Sequence, residues 1–161
     1  MITEKPNFTP SFLRQIDIHS LIPQQEPFVM IGCLSYIDER RTITETTVSE
    51  DNIFVDEGFF SFSGLVENIA QTCAAGIGFV NKNIRNKDIQ VGFIGAIRNL
   101  EVFELPRVGD TITTTVDIIE EVFGMTLAHA QIVCGEKTLV TTEIKIALKG
   151  GQDGTESIKG I

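Results

Sequence analysis

Glu67 and Gln71 stand four residues apart, a spacing that stacks a carboxyl and a carboxamide on one face of a helix. An amide so placed can hold the carboxyl, or a bound hydroxyl, by hydrogen bonding. A carboxyl near the start of a buried helix is pulled toward its neutral form by desolvation and toward its charged form by the helix dipole. Such a group is suited to proton transfer. The bland alternatives are a capping or interface carboxylate for Glu67 and a purely structural hydrogen bond for Gln71. Asp56 and Glu57 add two carboxyls just upstream; loop carboxylates in water are poor bases for a carbon acid. The two histidines are far from this stretch, His19 near the N-terminus and His129 late in the chain. Cys73 falls on an apolar stripe with no histidine at a recognisable spacing, which reads as a core thiol and not a nucleophile. Gly76-Ile77-Gly78 and Gly92-Phe93-Ile94-Gly95 complete neither a dinucleotide fingerprint nor a Walker loop. No cluster of ligands suggests a metal, and no cofactor is expected.

The elements that must position Glu67 and Gln71 are legible from periodicity. Val66, Ile69, Ala70, Cys73, Ile77 and Val80 recur at three- and four-residue steps, which predicts one amphipathic helix over residues 63–81. Ser61 or Ser63 supplies its N-cap, and Gly76 and Gly78 permit a close backbone approach near its end. Residues 28–37 and 41–48 are rich in β-branched and aromatic residues and read as two strands joined by Asp38-Glu39-Arg40. Four longer strands follow over 91–103, 111–122, 125–134 and 138–149, divided by Pro106-Arg107-Val108-Gly109-Asp110, by Gly124 and by Gly135-Glu136-Lys137. Strands gathered about one apolar helix define an α+β domain with a sheet wrapped around that helix. Residues 1–20 read as an N-terminal arm with one short turn, residues 21–148 as the core and 150–161 as a fraying tail.

At 161 residues, with 42% hydrophobic and 22% charged residues, the chain has the size and composition of a single globular domain. Its net charge of −9 repels nucleic acid and anionic lipid surfaces. No apolar run approaches the roughly 20 residues of a membrane span, and the first residues lack a signal-peptide core. A cytoplasmic location is the expectation. Cys33, Cys73 and Cys134 are widely spaced and odd in number, which suits reduced thiols.

Three stretches resemble the hot-dog fold dehydratases that remove water from 3-hydroxyacyl groups on acyl carrier protein in fatty-acid and polyketide synthesis. Leu21-Ile22-Pro23-Gln24-Gln25-Glu26-Pro27-Phe28 is similar to the family's Leu-Pro-His-Arg-x-Pro-Phe but lacks both basic residues. Glu67-Asn68-Ile69-Ala70-Gln71 matches the central-helix signature. Phe93-Ile94-Gly95-Ala96-Ile97-Arg98-Asn99 through Pro106-Arg107-Val108-Gly109-Asp110 resembles the following strand and turn. Where the family carries its catalytic histidine, in Gly-His-Phe-Pro-Gly ahead of the helix, this chain reads Phe54-Val55-Asp56-Glu57-Gly58-Phe59-Phe60. The shortened segment is similar to a divergent branch associated with aryl-polyene pigment clusters.

The resemblance implies a curved antiparallel sheet around the helix, a dimer formed through the sheet edge, and a thioester site at Glu67 and Gln71. Water elimination needs a base for the C2 proton, an acid for the departing hydroxyl and donors for the thioester oxygen. Glu67 fits the acid. Backbone N–H groups near Gly58, Ser63 and Gly64 are candidate donors, and Gly95 a further substrate contact. The base must come from Asp56, Glu57, Glu67 itself, water or another chain. A histidine-bearing homologue in a heterodimer would restore one competent site of two; a homodimer equally fits the sequence. Two other readings stand beside this one: a hot-dog thioesterase using Glu67 and water, and a noncatalytic acyl-binding or partner-stabilising subunit. Lys82, Arg85 and Lys87, just past the helix, form a candidate docking patch for an acidic carrier or simply a solvated loop, with Arg98 and Arg107 as alternative contributors.

Overall fold

The computed structural model describes residues 8–84 and 91–149. Its elements are α1 (Pro10–Gln15), a 3-10 turn (Ile18–Ser20), β1 (Cys33–Ile37), β2 (Arg41–Thr47), β3 (Val55–Asp56), β4 (Phe59–Phe60), α2 (Phe62–Asn83), β5 (Val91–Val102), β6 (Thr111–Val122), β7 (Met125–Cys134) and β8 (Lys137–Lys149). Six strands make one antiparallel sheet in the order β1-β2-β6-β7-β8-β5. The long helix lies against its inner face, as expected for a hot-dog fold.

Alternation along the strands decides which face is which. In β7, Thr126, Ala128, Ala130 and Ile132 are buried while the residues between them are not. The outward residues form a charged row across five strands: Arg41 opposite Asp117, Asp117 opposite His129, His129 opposite Glu143, and Glu143 opposite Arg98. His129 therefore belongs to the outer surface of the sheet and faces away from the helix.

Ser61 caps α2, its hydroxyl accepting from the Gly64 N–H at 3.4 Å. Glycine lets the helix approach its neighbours where a side chain would collide. A Cβ at Gly76 would strike the Thr42 hydroxyl, and one at Gly78 would strike the Leu21 carbonyl. The first half of α2 packs with the sheet around Leu65, Ile69, Cys73, Ile112, Ile132 and Ile144. The second half, through Ala75 and Phe79, packs with Leu13, Ile18, Leu21 and Leu34. Residues 8–22 thus supply part of a second core, and Leu13 and Leu21 are almost wholly enclosed.

Two features depart from the periodicity reading. Only Cys33–Ile37 of the first expected strand joins the sheet, because the Phe28 carbonyl and both backbone groups of Met30 bond to helix side chains (below). The short pair β3 and β4 is an added hairpin, with Val55 opposite Phe60 and Asp56 opposite Phe59. Its two turn residues, Glu57 and Gly58, have φ of 50° and 83°, the positive values a two-residue hairpin turn of the primed type requires. The hairpin is bonded onto the Pro106–Asp110 turn, Phe60 N–H to the Pro106 carbonyl at 2.8 Å and Val108 N–H to the Gly58 carbonyl at 3.0 Å. Arg107 lies over the Phe59 ring, 5.2 Å from its centroid.

Candidate active site on the central helix

Gln71 has no exposed surface, and every hydrogen-bonding site on its amide that the fold can use is engaged. Its Oε1 accepts the Met30 N–H at 2.7 Å, and its Nε2 donates both to the Phe28 carbonyl and to Glu67 Oε1, each at 2.8 Å. The amide is therefore a fixed clamp between the extended Phe28–Met30 segment and the Glu67 carboxylate. Reversing it would set carbonyl against carbonyl and N–H against N–H. The same amide that holds the 28–30 backbone also bonds Glu67, so the structural hydrogen bonds of Gln71 and its contact with Glu67 are one arrangement.

Beside it lies a residue that sequence reasoning missed. Asn68 is fully buried, donating to the Met30 carbonyl at 2.8 Å and to Thr46 Oγ1 at 3.3 Å, while accepting from the Thr114 hydroxyl. Thr72 donates to the Asn68 carbonyl at 2.8 Å and meets Thr44 Oγ1 at 2.7 Å. The polar stripe Asn68, Gln71, Thr72 on an otherwise apolar helix was the available signal. Buried polar groups at such a spacing need partners, and here the partners come from residues 28–30 and from β2 and β6.

Glu67 is half-buried on the one helix face that the sheet leaves partly open, together with Val66, Ala70, Ala74 and Ile77. Ser63, one turn earlier on that face, is exposed. Gly64 is buried beneath Phe60 and Phe54, so its N–H serves the Ser61 cap. Asp56, Glu57 and Gly58 lie exposed in the β3–β4 hairpin, and the described hydrogen bonds tie Gly58 to Val108, not to Glu67. Gly95 is an exposed residue of β5; a Cβ there would lie 3.7 Å from Met125 Cε and 3.8 Å from the Lys145 carbonyl. Lys82 is exposed in the last turn of α2, and Arg85 and Lys87 lie outside the described residues.

Neither histidine reaches Glu67 in any described contact. His19 is held between Asp17 and Glu26, and His129 belongs to the outer face. Cys73 is buried on α2, and desolvation pushes its thiol up to about 12, which removes it as a nucleophile. Among the described residues no group of histidine, cysteine and acidic side chains could hold a metal ion, and no helix is long and apolar enough to cross a membrane.

The fold is shared with solved structures of low sequence identity. A chain of the dehydratase heterocomplex ApeI:P from Xenorhabdus doucetiae superposes with a TM-score of 0.81 at 16% identity, covering 90% of this chain and 99% of that one. The virulence protein Cj0977 from Campylobacter jejuni gives 0.61 at 11% identity over 81% and 85%. A hypothetical thioesterase from Streptococcus pneumoniae with coenzyme A gives 0.57 at 10% identity over 73% and 84%. No curated protein matches the sequence significantly. The sequence itself matches the ApeP-like family, described as ApeP dehydratase, over residues 16–153. With its antiparallel sheet around one long helix and the Glu67–Gln71 pair in the first half of that helix, the chain belongs to the ApeP-like dehydratase family of hot-dog proteins.

Proposed function

We propose that this chain supplies the acid of a 3-hydroxyacyl thioester dehydratase whose base is a histidine on a homologous partner chain. The observation that carries the reading is Glu67: a half-buried carboxyl group, held by the buried, fully hydrogen-bonded Gln71 amide, on a helix face of otherwise small and apolar residues, with no histidine bonded to it in the described structure. That face suits contact with a second hot-dog subunit. A structure of the same fold, matched over 90% of this chain, is a dehydratase heterocomplex.

In the proposed reaction the partner's imidazole takes the C2 proton of the substrate. The electron pair moves toward the thioester oxygen and then into the C2–C3 double bond as the C3 hydroxyl departs. Glu67 gives that hydroxyl its proton, and the products are the 2-enoyl thioester and water. The Ser63 N–H, among the first in α2 and so unused by the helix itself, is the proposed donor to the thioester oxygen. The substrate is carried on an acyl carrier protein, which we place at the basic segment Lys82, Arg85 and Lys87. The fifteen residues from Glu67 to Lys82 set about 22 Å of helix between dock and carboxylate, so the acyl group must arrive on an extended arm.

The test is to incubate the chain with a 3-hydroxyacyl pantetheine thioester, alone and with a histidine-bearing hot-dog homologue that co-purifies with it, and to follow products by mass. Enoyl product from the mixture only is the expected result. Enoyl product from the chain alone would overturn the requirement for a partner, and free acid dependent on Glu67 would make it a thioesterase. No product from either would leave a noncatalytic subunit.

A further inference from the structure

A succession of bonded groups runs from His19 through Glu26, the Gln25–Phe28 turn and Gln71 to Glu67. The His19 Nδ1 lies 2.7 Å from Asp17 Oδ1 and its Nε2 3.0 Å from Glu26 Oε1. Carboxylate oxygens only accept, so both ring nitrogens must donate, and only the imidazolium can do that. Its own N–H adds a third bond, to Asp17 Oδ1 at 3.1 Å. Lys82, from the end of α2, attracts Asp17 more weakly.

The two sides of this bridge are anchored differently. Ile18 and Leu21 are buried against the second half of α2, with the Leu21 carbonyl in the gap over Gly78. Glu26 sits in an exposed turn closed by the Phe28 N–H bonding to the Gln25 carbonyl at 2.9 Å. That turn ends at the Phe28 carbonyl, which shares the Gln71 amide with Glu67.

We propose that His19 is a positioning residue for Glu67: its imidazolium holds the Gln25–Phe28 turn in place, so that the Phe28 carbonyl keeps the Gln71 amide, and with it the Glu67 carboxylate, in one orientation. The inference rests on Glu67 being the functional group, but the link from His19 to Gln71 can be observed without turnover. A neutral imidazole presents a lone pair to one of the two carboxylates, and the bond on that side is lost. Glu26 first and then Asp17 raise the His19 pKa above its ordinary value. The sign follows: with both carboxylates charged, the bridge is complete below about pH 6.5, the unfolded value, and one of its two ring bonds is lost as pH rises through the higher folded value.

The test is a pH titration of the 15N-labelled full chain by NMR, reading the Gln71 side-chain amide and the His19 ring nitrogens. The Gln71 resonances are expected to move with the His19 midpoint. His19→Gln should remove that movement and hold Gln71 at its alkaline position at every pH, His19→Lys should hold the acid position well above neutral pH, and His129→Gln should leave the titration intact. Gln71 resonances that stay flat through the His19 midpoint, or that titrate unchanged in His19→Gln, would overturn the proposal. Since the readout requires no substrate, that failure would leave the dehydratase reading standing, and an inactive complex would leave the coupling standing.

Discussion

Replacing Gln71 by Leu keeps a side chain of roughly similar size and deletes all three of its hydrogen bonds. The Met30 N–H is then a buried donor without a partner, since Met30 is almost wholly enclosed, and the Phe28 carbonyl loses its helix contact. Each stranded group costs about 1–3 kcal/mol, and part of the sum returns as the apolar contact leucine makes. The net destabilisation is about 2–4 kcal/mol, equivalent to a fall in Tm of roughly 5–15 °C for a domain of this size. Glu67→Gln is the matched control: the group is half-exposed, its shape is kept, and the new amide oxygen still accepts from Gln71, so stability should change by less than about 0.5 kcal/mol. Urea denaturation at one protein concentration measures both. A Gln71→Leu loss below about 1 kcal/mol with an unchanged m-value would refute the view that this amide clamps the 28–30 segment to the helix.

Gly64→Ala should destabilise by about 1–3 kcal/mol, although alanine ordinarily favours a helix. The new methyl would run into the Phe60 ring and come within 2.9 Å of Phe54 Cβ, and a rise in urea midpoint would contradict this. Phe123→Asn should stabilise by about 0.5–1 kcal/mol, because Phe123 holds φ of 51° in the β6–β7 turn while 95% exposed, a conformation asparagine adopts more easily; a lower Tm would count against the argument. In the folded protein a thiol reagent at neutral pH should leave Cys73 unmodified, given its burial and its thiol pushed up to about 12. Reaction of all three cysteines without denaturant would show that the helix opens more readily than its packing implies.

How much of this could be read from the residues depends on whether a signal was local. The strands Thr111–Val122 and Met125–Cys134 fall where alternation and turn residues place them, since each carries its own period and its own glycine stop. The helix runs a residue or two beyond its periodic core at either end, because Ser61 caps it and the apolar stripe says nothing about polar residues in the last turn. The β3–β4 hairpin escaped because two-residue strands show no period; Glu57-Gly58 was its one local mark. The extended Phe28–Met30 segment reads as strand because its residues alternate suitably, yet its partners are the side chains of Asn68 and Gln71, some forty residues away. The family signature drew attention to Glu67 and Gln71, whereas the role of Asn68 depends on Thr46, Thr114 and Met30 meeting it in space.

The most direct test of the central claim is the rate of enoyl formation by this chain purified together with the histidine-bearing homologue proposed as its partner, compared with the same preparation carrying Glu67→Gln. Removing a general acid from a competent site should lower that rate by about 10²–10⁴-fold, with the mass of the complex and its melting temperature unchanged. A variant complex that forms enoyl product within about twofold of the unmodified one would contradict the assignment of Glu67 as the acid.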